Sequence, residues 1–442
     1  MMSSPVAGAP PADGTDRRIG RLPDETNLSP WRRECLIVRL VSILVDPPGW
    51  PVLGRLWSHL VSDSSLDELH TFAARVGVPR QGFDRDHYDV PGEAYDRIIE
   101  AGAAPVSARE LAVRLLASGL RRRRADTPGR RKPGQELLRP SRLRPGSLVA
   151  VVAPAGPVPA ARLDRGLAIL RGWGLHVRLG AHVRGRDTTL PHLAAPDDQR
   201  AADLKAAWTD PAVSVVWCAR GGYGSHRLVD RLDWTAMAAA GPRLLVGFSD
   251  ATALHESVAG RLGTVSLHAP VVTSLAEGQP ETTELLHRML FDPASVTDPF
   301  AGARLRRLAC GTARGVLMGG NLRVLTASIG TRLSRQARDG IVLLEDVGEQ
   351  PYRIDGMLTQ LLRAGWFAGV RGVVAGSFTD TGDHAAEAVD RVLRDRLGPL
   401  GVPVVAGAPV GHLPDNHAVP LGVPATLDAD AGTLRLAGPA LA

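Results

Sequence analysis

Eight residues, Leu244-Leu245-Val246-Gly247-Phe248-Ser249-Asp250-Ala251, constrain this chain more than any other stretch. An apolar run delivers a serine onto a Gly-flanked turn, and a helix-like segment, Ala251 to Leu262, follows. That order lifts a hydroxyl clear of a strand end and aims the first N–H groups of a helix beside it. A nucleophile needs the first property and a developing oxyanion needs the second. The same residues also fit a plain strand, turn and capping serine or aspartate. The rest of the chain decides between the two.

A serine nucleophile needs a base, and the base needs an orienting acid. Glu345 ends the apolar run Ile341-Val342-Leu343-Leu344. His412 sits in Val410-Gly411-His412-Leu413-Pro414, beyond the strand-like run Pro403 to Ala406. Both positions suit the carboxyl edge of an open α/β sheet, where ligands bind. Upstream, the strand-like Val213 to Cys218 runs into Ala219-Arg220-Gly221-Gly222-Tyr223-Gly224-Ser225, with a helix-like Arg227 to Leu232 after it. The glycines let backbone N–H groups approach a ligand closely. Their spacing matches neither a dinucleotide fingerprint nor a P-loop.

Together these blocks resemble the LD-carboxypeptidases, serine peptidases that include muramoyltetrapeptide carboxypeptidases and microcin C self-immunity proteins. The matching blocks are Val152 to Gly156, Ala219 to Gly224, Gly247 to Asp250, Gly319-Gly320-Asn321-Leu322, Leu344-Glu345-Asp346, Tyr352 to Asp355 and Gly411-His412. They are collinear from about Pro145 to the C-terminus. The resemblance implies Ser249 as nucleophile, His412 as general base and Glu345 as its orienting acid. It implies an oxyanion hole from the backbone N–H groups of Asp250 and Gly222, with Gly221, Tyr223 and Asn321 against the substrate. The implied fold is a parallel-sheet α/β domain (146–295) carrying the serine, then a smaller, β-rich α/β domain (312–442) carrying Glu345 and His412. The implied substrate is a murein tetrapeptide losing its terminal D-Ala, in the cytoplasm, by a homodimer and without a cofactor. Near the histidine, Asp415-Asn416-His417-Ala418-Val419-Pro420 replaces a more apolar stretch.

Two readings compete within the same residues. The site could hydrolyse peptidyl or aminoacyl-nucleotide antibiotics, as the microcin immunity proteins do, or the chain could bind muropeptides without turning them over. An ordinary α/β-hydrolase fits less well, because Ala251 stands where its nucleophile elbow has a second glycine.

Composition agrees with a soluble enzyme: 44% of the 442 residues are hydrophobic, yet no apolar run approaches the roughly 20 residues of a membrane span. Cys35, Cys218 and Cys310 form neither a disulfide framework nor a metal spacing. The formal charge of +6 comes from one segment. Between Gly119 and Pro145, ten Lys/Arg face only Asp126 and Glu136, which gives +8 there and −2 for everything else. Pro and Gly interrupt that block, so it reads as a solvated spacer (121–145) and not as a specific nucleic-acid or membrane surface. Apolar residues around Trp366, Phe367, Val370 and Val373 suggest a face that a dimer partner covers.

Ahead of the spacer, a disordered tail (1–34) precedes a small α/β domain (35–120) that resembles a bacterial domain family of unknown function. Its matching blocks are Val45 to Pro48, Leu56 to Leu60 and Asp86 to Asp89. Leu36 to Val45 reads as one or two strands, Arg55 to Val61 as a short helix, and Ser64 or Ser65 as the cap of a helix burying Leu66, Leu69, Phe72 and Ala73. The domain is rich in ligand types, with Asp46, His59, Asp63, His70, Asp86, His87 and Asp89. The metal candidates are His59, His70, Asp86 and His87, though their spacing fits no known motif and hydrogen bonding explains each of them.

Overall fold

The computed structural model describes residues 42–52, 55–84, 86–120, 137–331, 333–382 and 385–442. The tail, Cys35, the strand expected before Ser42 and most of the basic spacer lie outside them. The chain divides into two compact units, Met1–Arg122 and Arg123–Ala442.

The small unit is a mixed sheet of β1 (Ile43–Val45), β2 (Trp50–Val52), β3 (Arg55–Ser62), β4 (Phe83–Asp84), β5 (His87–Pro91) and β6 (Ala104–Pro105). The order is β4-β5-β3-β1-β6, with β2 as a hairpin on β3. Arg55 to Val61 is therefore strand, not helix. Leu56 and Leu60, and Trp57 and Val61, imitate a helical i, i+4 pattern. Antiparallel pairing on both sides, with β1 and β5, overrides it. Alternation then sends Leu60 and Tyr88 to one core, under the helix Leu66–Arg75, and Leu44 and Val61 to another, under the helix Ala108–Ala117. Ser65 caps the first helix by accepting the Glu68 N–H at 3.1 Å, as expected.

The larger unit opens with five parallel strands, β7 (Leu148–Val152), β8 (His176–Leu179), β9 (Val213–Cys218), β10 (Leu244–Gly247) and β11 (Ser266–His268). Their spatial order, β11-β10-β9-β7-β8, is a doubly wound sheet with its switch point between β7 and β9. Apolar clusters line both faces, so the strands read as continuous hydrophobic runs. The second sheet comprises β12 (Arg306–Ala309), β13 (Thr312–Asn321), β14 (Gly340–Val347), β15 (Gly372–Thr379), β16 (Val404–Ala406), β18 (Pro424–Asp428) and β19 (Thr433–Leu436). Its middle four strands, β13 to β16, are parallel and its edges antiparallel. One strand, β17 (Val419–Leu421), leaves this lobe and pairs antiparallel with β11, His268 facing Val419. It begins seven residues after His412, and so carries the histidine loop to the serine-bearing sheet.

The structure corrects three further expectations. Residues 137–145 are not spacer: Leu143 is buried, its N–H bonds the Leu290 carbonyl at 2.9 Å, and Leu138 bridges to Thr264. The boundary at 312–442 is also crossed, because Ala418, Ala440 and Leu441 join the core of the first lobe. Finally, Trp366, Phe367, Val370 and Val373 are buried within the chain itself, in the core that includes Ile354, Leu358 and Leu361 of the helix Pro351–Arg363. They offer no uncovered face, and the dimer expectation rests on family resemblance alone.

Candidate active site

Strand β10 ends at Gly247, and the chain turns so sharply that Ser249 takes a φ of 62°. Only three described non-glycine residues have positive φ, and the conformation costs on the order of 1–3 kcal/mol. The turn leads into a 3-10 turn, Ser249–Ala251, and the helix Thr252–Ser257. His255 of that helix is fully buried and bridges the Gly247 carbonyl (2.9 Å) and Ser266 Oγ (2.8 Å). A carbonyl accepts only, so His255 Nε2 carries the proton and Nδ1 takes the serine's. Burial pushes the imidazole pKa down to about 3, so it stays neutral beneath the turn.

Strand β14 delivers Glu345 to the same point, although it runs two residues past the expected end, to Val347. Between Leu344 and Asp346 its register with β15 shifts, a bulge that re-aims the intervening carboxylate. The Gly411 loop closes over it. A Cβ at Gly411 (φ 117°) would stand 2.5 Å from Ser377 Oγ and 2.8 Å from Glu345 Oε2. Asn416 Oδ1 accepts the Gly411 N–H at 2.9 Å, and Asp415 bonds both Thr282 and His417. The polar stretch that departs from the family pattern thus fastens this loop.

The result is a hydrogen-bonded line. Glu345 Oε2 lies 2.8 Å from His412 Nδ1, and His412 Nε2 lies 3.0 Å from Ser249 Oγ. An ionised carboxylate accepts only, so Nδ1 carries the proton and Nε2 offers its lone pair to the hydroxyl. Glu345 is fully buried, and burial alone would raise its pKa. The neighbouring imidazoles of His268 and His412 outweigh burial and hold the carboxyl down at about 2. His268 Nε2 stands 3.9 Å from Glu345 Oε1, beyond hydrogen-bond length, so it acts through the local field. The ring of Phe248 packs 4.9 Å from that of His412.

The Gly-rich loop after β9 borders the serine. It enters a 3-10 turn, Ser225–Arg227, instead of the longer helix expected there. A Cβ at Gly221 would sit 3.1 Å from Ser249 Cβ and 3.2 Å from its Oγ. Asp250 is buried and accepts the Ser225 N–H at 2.8 Å, tying this loop to the serine turn. Buried Arg200 donates to Ala195 (2.8 Å), Gly224 (3.2 Å) and Pro154 carbonyls, stapling the loops after β7 and β9 together. Tyr223 is half exposed at the rim. Asn321 is buried: it caps the helix Leu322–Ala327 and donates to Asp346 at 3.0 Å, while its N–H bonds Thr252 Oγ1. It therefore joins the two lobes beside the site. Sequence reasoning missed His255, His268, Arg200 and Thr252. Of these, only His268 carried a signal, as a polar residue at the carboxyl end of an apolar strand.

In the small unit, two of the four metal candidates converge. His59 and His87 meet at Asp89, whereas Asp46 and Asp86 each bind one of these imidazoles. His70 instead bonds the Tyr88 hydroxyl at 2.9 Å and packs on Phe83, and Asp63 pairs with Arg114.

A serine–imidazole–carboxylate line at the carboxyl edge of a doubly wound sheet defines a hydrolase-type site. Comparison with known proteins narrows the class. Residues 149–269 match the LD-carboxypeptidase N-terminal domain and 314–427 its C-terminal domain. Residues 43–118 match a domain of unknown function, DUF4031. A Streptomyces coelicolor protein named "Putative carboxypeptidase" is 52% identical over 70% of this chain and 98% of its own length. The murein tetrapeptide carboxypeptidase of Pseudomonas aeruginosa is 35% identical over 63% of this chain and 92% of its own. The solved muramoyltetrapeptide carboxypeptidase of Oxalobacter formigenes superposes with a TM-score of 0.56 at 29% identity, covering 65% of this chain and 97% of that one. The microcin C7 self-immunity protein MccF shares the fold (TM-score 0.59, 20% identity, 69% and 100% coverage). The chain belongs to the LD-carboxypeptidase family of peptidases, with a small domain of unknown function ahead of it.

Proposed function

We propose that the larger unit is a serine-type carboxypeptidase that removes the terminal D-Ala from murein tetrapeptides. The observation that carries the reading is the unbroken line from Glu345 through His412 to a serine held at φ 62°. His412 Nε2 takes the Ser249 proton as Oγ attacks the carbonyl carbon, and the oxyanion is met by the backbone N–H groups of Asp250 and Gly222. The imidazolium returns its proton to the departing amine, and D-Ala leaves. Water then gives a proton to the same imidazole, attacks the ester and frees the shortened peptide, while Ser249 regains its proton. Glu345, ionised throughout, holds the imidazole in the tautomer both steps need. This chemistry calls on no cofactor. Gly221 and Tyr223 border the substrate in this reading, and Asn321, also expected there, is instead committed to Val324 and Asp346. Cys218 and Cys310, both free, suit a reducing compartment such as the cytoplasm.

Mass spectrometry of the protein incubated with a murein tetrapeptide, an all-L tetrapeptide and an aminoacyl sulfamoyl adenosine tests the substrate. Conversion of the first alone to tripeptide and D-Ala supports the reading. Cleavage of the nucleotide alone would replace it with the immunity-protein reading, and cleavage of none would leave a binding module.

A further inference from the structure

The small unit carries a second arrangement of imidazoles and carboxylates that peptide hydrolysis does not use. In the register of β3 and β5, His59 stands directly opposite Asp89. His87 lies two residues before Asp89 on the same strand and so shares its face. One ligand atom from each of the three can be chosen so that all lie within 4.8 Å of one another, the one such group among the described residues. Asp89 Oδ1 is 3.3 Å from His87 Nε2 and 3.9 Å from His59 Nε2.

The far side of each imidazole is fixed by a buried carboxylate. Asp46, 1% exposed, accepts from His59 Nδ1 at 2.9 Å with one oxygen and from the His59 backbone N–H with the other. Asp86, 5% exposed, accepts from His87 Nδ1 at 2.7 Å. Each Nδ1 thus faces a buried carboxylate, and the Nε2 of each ring lies on the side of the Asp89 carboxylate. Two imidazole nitrogens and a carboxylate oxygen thus converge on one point. A carboxylate behind each ligating imidazole is the second layer that metal sites use to set tautomer and aim.

We propose that His59, His87 and Asp89 bind a first-row divalent transition metal, with Asp46 and Asp86 as positioning residues. Two imidazoles select that class over magnesium or calcium, which take oxygen ligands. Tetrahedral zinc, with bonds of about 2.0–2.1 Å, holds its ligand atoms about 3.3 Å apart. The His87–Asp89 separation already matches, and His59 Nε2 has to move about 0.6 Å closer to Asp89 Oδ1, from 3.9 Å. Three protein ligands leave a fourth position on the solvent side, where Asp89 is half exposed, for water or an anionic ligand.

Titration of the chelator-treated full chain with Zn2+ and with Co2+ tests the site. One Zn2+ per chain is expected, and Co2+ should give the visible absorption of a nitrogen–oxygen site. His87→Gln and His59→Gln should each weaken Zn2+ binding at least a hundredfold, and Asp46→Asn ten- to hundredfold, which is the usual reach of a supporting carboxylate. His70→Ala should bind as the wild type does, which also excludes general histidine binding. Thermal melting and near-UV spectra confirm that the variants remain folded; if His59→Gln is not, His87→Gln and Asp46→Asn decide alone. A wild-type chain that binds neither ion overturns the proposal, and so does binding that survives His87→Gln and Asp46→Asn unchanged. Tetrapeptide hydrolysis is not involved in either outcome.

Discussion

His412 and His87 are held in the same way, each with Nδ1 bonded to a buried carboxylate, Glu345 at 2.8 Å and Asp86 at 2.7 Å. They differ in what Nε2 meets. For His412 it is a hydroxyl on a strained turn, a proton that can be taken. For His87 it is the Asp89 carboxylate with a second imidazole close by, a place where a cation is stabilised. The carboxylate behind each imidazole sets which nitrogen faces it and stabilises positive charge on the ring, in either role. The group in front of Nε2 decides between base and ligand.

That comparison can be broken at the carboxylate. Glu345→Gln keeps the shape but supplies an amide that can donate to Nδ1 and reverse the tautomer. Turnover of the tetrapeptide should fall roughly 10³–10⁴-fold with KM little changed, by analogy with the effect of the orienting acid in serine triads. Steady-state kinetics check this, and a loss below tenfold would mean that His412 needs no carboxylate behind it.

The close approach of the histidine loop can be broken separately. Gly411→Ala puts a methyl 2.5 Å from Ser377 Oγ and 2.8 Å from Glu345 Oε2, at a φ that L-residues avoid. The loop must lift, and kcat should drop on the order of a hundredfold, the scale of an ångström's misplacement. Activity of the purified variant, with its melting curve, measures both consequences.

A third variant sharpens the role of the neutral histidine beneath the turn. His255 is held at about 3 when folded, against an ordinary value of 6.5. The unfolded chain therefore binds the extra proton first. The stability from His255 is whole above pH 6.5 and is lost as pH falls toward 3, by up to tenfold in the unfolding constant per pH unit. His255→Gln should be less stable than wild type at pH 7, by about 1–3 kcal/mol for the buried hydrogen bonds disturbed. The gap should narrow steadily below pH 6.5. Denaturant titrations at pH 7.5, 6 and 4.5 would show it, and a constant gap would contradict it.

The smallest effect concerns the start of the larger unit. A fragment from residue 137 keeps Leu143 and its bond to Leu290, whereas one from residue 146 uncovers that core. The first should melt several degrees above the second, and both should retain the active-site residues in place.

The three residues of the line were legible in the sequence as candidates, and the family resemblance is what tied them together. A serine on a strand-to-helix turn, a carboxylate at a strand end and a histidine in a Gly-flanked loop each leave a local trace. Arg200 and Thr252 leave none, since their roles exist only once the loops after β7 and β9 and the two lobes have met. The misread of β3 has the same origin, because pairing on both sides overrules a helical spacing of Leu56 and Leu60. The small unit shows the limit most clearly. The sequence offered four candidates without a motif, and cross-strand register brought together two of them with Asp89 while setting His70 against Tyr88.

The measurement that bears most directly on the account is tetrapeptide turnover by Ser249→Ala. The variant removes one oxygen from a turn whose backbone is held by Asp250 and His255, so its melting temperature should stay near that of the wild type. D-Ala release should fall by about 10⁶, toward what binding and the oxyanion donors alone provide. A folded Ser249→Ala protein that works within tenfold of the wild-type rate would contradict the role given to Ser249.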